Sequence, residues 1–565
     1  VVVVCGFFSF GAFAQCPPRP LPDSVLLDAP SIYSQNGTLS AAFTMGHSVD
    51  SFGYTHYCYK YQTSTGTEEA PTLRVNPGDT LLLNVTDDIN SGSPSSKSTM
   101  DMSGAGPICG DGGTPTINST NVHFHGLNVS PNCGSDDVLD TLIQPGSPGF
   151  QYTIKVPADE PPGLYWYHPH VHGFTEFQVN GGAAGAIVVE GMANVRPEVA
   201  GLTERVITLR QQFLVPWVPG PYQLTVNFQN AADVNGPAPK ILMAYGEKQF
   251  WRILNASIQD FIPVQVQFNG LPQPLELIAL DGYPLPQTRT ETTILIPPAG
   301  RAEFIVQAPP RFASAFLVTL PYSTGPTGNP DGGQPLAQII LNNGGTPPDS
   351  TKSGASSAVA EPKTLASAQS VNRQSPASQS GASQNSAHID FADQKKVDGG
   401  SSPEKPMHLK FSDLKSATPT TQRKLYFSEE FGGTNGPIQF YITVDGQKQQ
   451  VFNANEKPVI TTNAGAVEDW TIENHALETH DFHIHQIHFM LLEVNGQPVA
   501  NQDMRDTYQI PYWPGSGPYP SIKVRMDFRD PTITGTFVFH CHILLHEDLG
   551  MMHKIEVLPQ NQQTK

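Results

Sequence analysis

Residues 540–552 read HCHILLHEDLGMM. In a β-strand, successive side chains point to opposite faces, and residues i and i+2 lie about 6.6 Å apart on one face. His540 and His542 therefore share a face, and Cys541 points the other way. The same parity holds in HDFHIH at 480–485, where His483 and His485 share a face and His480 takes the opposite one. One side collects His483, His485, His540 and His542, and the other collects His480 and Cys541. A period of two sorts these residues into two sets, so the region is read as β-sheet.

Residues further out repeat the style. APTLRVNPGDTLLLNVTDD at 70–88 reads as strand, Pro-Gly-Asp turn, strand, and KPVITTNAGAVEDWTIEN at 457–474 returns the pattern. Each precedes a cluster of His-x-His pairs. A middle copy runs through KQFWRILNAS (248–257), LELIALDGYPLP (275–286) and TILIPPAGRAEFIV (293–306). A chain of 565 residues has room for about three to four domains of ~150 residues. With 50 Gly, 52 Pro and only 15% charged residues, short strands joined by turns fit better than long charged helices. The expectation is an all-β chain of three Greek-key β-sandwiches at 17–190, 191–345 and 407–565. Residues 346–406, rich in Ser, Ala, Gln, Gly, Pro and Lys, read as a flexible linker.

Residues 1–14, VVVVCGFFSFGAFA, are apolar, uncharged and end in Ala-Phe-Ala before Gln15, which reads as a truncated export signal too short to span a bilayer. A secreted or periplasmic protein in an oxidising compartment is expected. Cys16, Cys58, Cys109 and Cys133 then allow three pairings, of which Cys16–Cys58 with Cys109–Cys133 is favoured. The net charge of −19 argues against nucleic acid as a partner. No later stretch looks transmembrane, and a monomer is expected.

The 18 histidines are unevenly placed: none lies between His172 and His388, and no cysteine between Cys133 and Cys541. The middle domain thus lacks soft metal ligands. His-x-His occurs five times, where random placement gives about 0.6. Cys541, His546 and Met551 follow a C-x4-H-x4-M spacing. With His480 they make the ligand set of a blue-copper electron-transfer site, whereas zinc prefers four strong ligands. The other face gains His123 and His125 (NVHFHGLNV) and His168 and His170 (GLYWYHPHVHG) from the first domain. Eight neutral imidazoles around one volume suit about three metal ions with positions open for a small molecule. The link through Cys541 makes copper the consistent metal.

HFHG at 123–126, HPH at 168–170, HDFHIH at 480–485 and HCHILLHEDLGMM at 540–552 resemble the four signature stretches of the multicopper oxidase family, laccase type with three cupredoxin domains. The HPHVHG and DFHIHQIHF style is similar to bacterial members. The resemblance implies four copper ions. Type 1 copper would sit at His480, Cys541, His546 and Met551, and type 2 at His123 and His483. The type 3 pair would sit at His125, His168, His170, His485, His540 and His542. It implies a small reducing substrate, phenols or aromatic amines, giving electrons at the exposed imidazole edge of His546, and O2 reduced to water at the trinuclear site. Glu547 corresponds to a proton-relay carboxylate. Asp136, with Asp137 as rival, corresponds to the acid by the O2 and water channel. Phe124, Pro169 and Asp481 depart from the commoner Trp, Ser and Pro, and none is a ligand. Two other readings stand beside this one: a cuprous or ferrous ion oxidase of copper resistance, which with eleven Met lacks the usual Met-rich segment, and a copper carrier without turnover. His172 and His553 are read as structural and Met552 as packing, and His475 and His488 as residues that support the ligands or lie on the surface.

Overall fold

Strand Thr80–Asp87 buries every second side chain, Leu81, Leu83 and Val85 among them. Each such aliphatic group contributes about 1.5–3 kcal/mol on burial. A turn joins it to Thr72–Val75: Asp79 accepts the Asn76 N–H at 2.7 Å, and Gly78 supplies φ of +90°. The related stretch forms strands Ile460–Asn463 and Ala466–Asn474 around Gly465 at φ +104°.

The computed structural model describes residues 16–21, 23–49, 55–89, 109–213, 222–231, 238–342, 409–431 and 438–560. The signal at 1–14 and the linker at 346–406 lie outside the described residues. Six larger sheets pair into three sandwiches. In the first, the order Ser31–Tyr33, Thr72–Val75, Gly185–Val189, Gly163–His168, His123–His125 faces Phe150–Lys155, Thr80–Asp87, Thr38–Val49, Thr55–Gln62, Thr67–Glu69. Leu39, Phe43, Leu73, Leu81 and Ile187 fill the space between them. The middle sandwich, between Thr203 and Leu341, pairs seven- and six-stranded sheets around Ile207, Trp251, Val264 and Phe304. The third pairs a seven-stranded sheet with the order Ile460–Asn463, Met552–Leu558, Gly535–Cys541, His480–Ile484, Thr507–Ile510, around Phe427, Trp470, Phe482 and Phe539. The fold is all-β and cupredoxin-like. Among the described residues the longest helix, Thr175–Asn180, has six residues, and no helix is long and apolar enough to cross a membrane.

One boundary differs from expectation. Residues near 25, placed by sequence with the first sandwich, join the middle one. Leu26 is fully buried in the middle core, its N–H donates to Lys240 O at 2.8 Å, and Val25 bridges Lys240 in parallel. An apolar residue and an open sheet edge at Lys240–Met243 meet there, and the edge is capped. The disulfides are Cys16–Cys58 and Cys109–Cys133, with Cα atoms 5.8 and 5.7 Å apart, and Cys541 is a buried free thiol.

Candidate metal centres

Strand His480–Ile484 runs antiparallel to Gly535–Cys541, with Phe482 opposite Cys541 and His483 opposite His540. In the first sandwich His123 lies opposite His168.

On one face of the third-domain pair, Cys541 Sγ lies 3.6 Å from His480 Nδ1 and 3.8 Å from His546 Nδ1, and the two nitrogens are 3.3 Å apart. The short helix Leu544–Asp548 turns the chain so that His546 comes back over Cys541. Met551 is fully buried in the same core; its N–H donates to His546 O at 2.8 Å and its carbonyl accepts the Cys541 N–H at 3.1 Å. The Asp481 N–H points at Sγ from 3.4 Å. Burial pushes the Cys541 thiol well up, opposed by backbone N–H donors at Asp481 and Ile543; a coordinated thiol is deprotonated outright. At the outer nitrogens, His480 Nε2 is 3.2 Å from Glu429 Oε1 and His546 Nε2 is 3.6 Å from Glu478 Oε2. Phe440 stacks on the His546 ring at 4.1 Å. His546 is therefore only 4% exposed, which corrects the expectation of an open imidazole edge: Phe440 covers the face and Glu478 the Nε2 tip.

On the other face, the Nε2 atoms of His170 and His485 lie 3.4 and 3.2 Å from His540 Nε2. The ring of His125 is 4.0 Å from that of His483 and 5.1 Å from that of His542. His168 is 5.3 Å from His123 and 5.6 Å from His542. All eight imidazoles thus share one buried volume between the first and third sandwiches. Four of the rings are held at an outer nitrogen: Nδ1–H of His123 donates to Asp136 at 3.0 Å, that of His168 to Pro169 O at 2.8 Å, that of His483 to Asp506 O at 2.8 Å, and that of His540 to Cys541 O at 3.0 Å.

The inner nitrogens test the fit to a metal. Nε2 of His123, His168 and His483, and both nitrogens of His542, are buried without a hydrogen-bond partner. Each such orphan costs about 1–3 kcal/mol, which coordination relieves. Burial, reinforced by neighbouring imidazoles, holds His168 down at about 3 and His123, His170, His485, His540 and His542 well below the ordinary value. They are neutral at neutral pH, the form that ligates metal. The residues present fit copper.

Two of the expected acids touch this cluster. Asp136 lies against His123 and accepts the Phe124 N–H at 2.9 Å and the Gln486 amide from the third sandwich; burial pushes its carboxyl up against these donors. Asp137 instead caps its own turn, accepting the Leu139 and Asp140 N–H groups at 3.1 and 3.0 Å. Glu547 places Oε2 3.2 Å from His540 Nδ1 and Oε1 3.5 Å from His170 Nε2, and burial followed by the neighbouring Asp548 pushes its carboxyl well up. Of the remaining residues, His172 packs on Phe452 beside a cavity of about 10 Å³ that Met552 also lines. His488 donates to Asp281 O at 2.8 Å, and His475 stacks between Tyr426 and Tyr519. His553 is buried beside Phe539.

Sequence reasoning missed Asp506, Glu429 and Glu478. Asp506 sits in MRDTYQI with no spacing signal, and its carbonyl rather than its side chain holds His483. Although burial alone would raise it, the Arg301 guanidinium keeps the Asp506 carboxyl below the usual carboxylate range.

The folding of both ligand sets onto cupredoxin-like sandwiches defines a copper-dependent oxidoreductase. Residues 116–194 and 431–561, which between them carry every one of these imidazoles, each match the family described as multicopper oxidase. The chain belongs to the multicopper oxidase family, whose members are enzymes that use O2 and a reducing substrate. It is 26% identical to the multicopper oxidase mco of Staphylococcus haemolyticus over 455 residues, 78% of this chain and 77% of that one. It is 26% identical to Laccase-1 of Botryotinia fuckeliana over 209 residues, 34% of each chain. In fold it is similar to a multicopper oxidase from Campylobacter jejuni described as a metallo-oxidase, with a TM-score of 0.61 at 21% identity over 97% of this chain and 98% of that one. It is also similar to McoA from Aquifex aeolicus, with a TM-score of 0.62 at 17% identity over 95% and 99%.

Proposed function

We propose that the protein is a laccase-type oxidase that takes single electrons from phenols or aromatic amines at the Cys541 pocket and reduces O2 to water at the eight-imidazole pocket. His480, Cys541, His546 and Met551 would hold a type 1 copper, His123 and His483 a type 2 copper, and His125, His168, His170, His485, His540 and His542 a type 3 pair. When bound, copper supplies one-electron exchange at the first pocket and four-electron reduction of O2 at the second. The observation that carries the reading is the tripeptide 540–542, in which adjacent residues belong to the two pockets. The peptide between Cys541 and its neighbours is then a bonded path from one to the other. Glu547, against His540 and His170, is placed to hold a proton beside the O2 site. Asp136 orients His123. Two disulfides suit an oxidising compartment, and a secreted or periplasmic monomer is proposed. The test is copper content per chain with O2 uptake on phenolic donors: four ions and turnover support the reading, while four ions without turnover would return the protein to the carrier class.

A specific observation favours a second reading, oxidation of cuprous or ferrous ions. Glu429 and Glu478 put two carboxylates at the outer nitrogens of His480 and His546, where a cation would give up its electron. Glu478→Gln should lower kcat/KM for Fe(II) or Cu(I) by roughly tenfold, about 1.4 kcal/mol, and leave phenols nearly unchanged. Equal losses on both substrate classes would remove this reading.

A further inference from the structure

The middle sandwich supplies no imidazole or thiolate, yet one of its side chains grips the residue that holds His483 in the eight-imidazole pocket. Arg301 opens strand Arg301–Gln307 and is fully buried. Its Nε–H donates to Leu164 O of the first sandwich at 3.1 Å and its Nη1–H to Ala299 O of the middle one at 3.0 Å. Nη1 and Nη2 together grip the carboxylate of Asp506 in the third sandwich, with Nη1 2.7 Å from Oδ1. The Arg301 backbone N–H is itself anchored on Asp281 Oδ1 at 2.8 Å. One guanidinium thus joins all three sandwiches in a rigid fork of the kind lysine cannot reproduce.

Asp506 passes this order to one imidazole and lies beside a second. Its carbonyl accepts His483 Nδ1–H at 2.8 Å, and its Oδ1 lies 3.5 Å from His125 Nε2. The glycine of HFHG belongs to the same device. Gly126 has φ of +86°, and a Cβ there would stand 2.6 Å from Asp506 Oδ2 and 2.7 Å from Arg301 Nη2. The close approach of the pair leaves no room for a side chain.

We propose that Arg301 is a positioning residue for the eight-imidazole metal centre, acting through Asp506 to hold His483 with its Nε2 turned inward. The proposal rests on the copper reading above. Groups that orient a ligand in this way typically account for 10- to 100-fold in metal affinity.

The test compares copper-loaded, full-length wild type with Arg301→Met, Arg301→Lys and Glu303→Gln. Glu303 is the control: it accepts the Leu164 N–H at 2.8 Å in the same interface and pairs with Arg252. The readouts are copper per chain, the electron paramagnetic resonance signal of the non-blue copper, and copper lost to a competing chelator. Arg301→Met should keep the blue band, shift the non-blue signal, and give up non-blue copper at roughly 10- to 100-fold lower chelator concentration. Arg301→Lys should fall between Met and wild type, and Glu303→Gln should match wild type. Unchanged signal and affinity in Arg301→Met would overturn the proposal, as would equal losses in Glu303→Gln. Should Arg301→Met fail to fold, Arg301→Lys decides by the same signal and affinity. A wild type with no non-blue signal would overturn the copper reading itself, and the proposal with it.

Discussion

The two pockets are built differently. The Cys541 pocket is local: its four residues lie between 480 and 551, two of them, Cys541 and Met551, belong to one hydrophobic core, and backbone hydrogen bonds run from Cys541 to Met551 and from Met551 to His546. The eight-imidazole pocket takes four rings from the first sandwich and four from the third. The first pocket is as stable as one domain. The second is as stable as the contact between two, in which Val138 packs with Phe452, Val538 and Met552, and Val179 with Leu544, alongside polar links. Asp548, next to Glu547, accepts N–H groups from Gly173, Thr175 and Glu176 at 2.9, 3.2 and 2.9 Å across this boundary.

The contrast can be broken from either side. Cys541→Ser should have the largest effect: the blue absorption and oxidase activity disappear, while copper stays in the other pocket, read by metal analysis and visible spectroscopy. Retained blue colour would mean that Cys541 is not the ligand. Asp548→Ala attacks the other pocket by leaving three backbone donors without their acceptor. It should cost about 1–3 kcal/mol, lower Tm, and release non-blue copper first while the blue band persists. Simultaneous loss of both would show the pockets to be one cooperative unit.

Smaller changes sharpen the comparison. Phe440→Leu thins the cover over His546 and should raise kcat/KM for bulky phenols roughly fivefold, about 1 kcal/mol, at unchanged copper content; steady-state kinetics with donors of increasing size checks this. The smallest effect on copper and activity is in the middle sandwich. Asp331 accepts the Phe261 N–H at 2.8 Å and touches no ligand, and burial followed by neighbouring Asp260 pushes its carboxyl up to about 9. A raised acid contributes stability in full below its unfolded value, and that contribution is lost as pH rises towards the folded one. Asp331→Asn should therefore gain stability over wild type steadily as pH rises from about 4 to about 9, with the difference vanishing near pH 4, as read from denaturant melts at each pH.

What could be read from the chain alone follows the reach of each interaction. The opposition of Cys541 to His540 and His542 is an i, i+1 property of a strand, so it was visible in thirteen letters. The alternation of Leu81, Leu83 and Val85 was visible for the same reason. Which imidazole nitrogen faces inward was not. It is set for His483 by a carbonyl 23 positions away, brought close only by pairing of His480–Ile484 with Thr507–Ile510. The cover on His546 comes from Phe440 in another sheet, and Leu26 leaves its expected domain to join a strand that begins at Lys240. Arg301 and Asp506, 205 positions apart, carry no motif at all.

The Cys109–Cys133 bridge closes a segment of 24 positions that contains both His123 and His125. Such a closure removes about 3–4 kcal/mol of chain entropy from the unfolded state. In a reducing environment that entropy returns to the very segment that must present two rings to the metal. Oxidation of the thiols is in this sense a step of maturation: an unfolded chain that is already bridged has less entropy to lose when it brings the two rings into place.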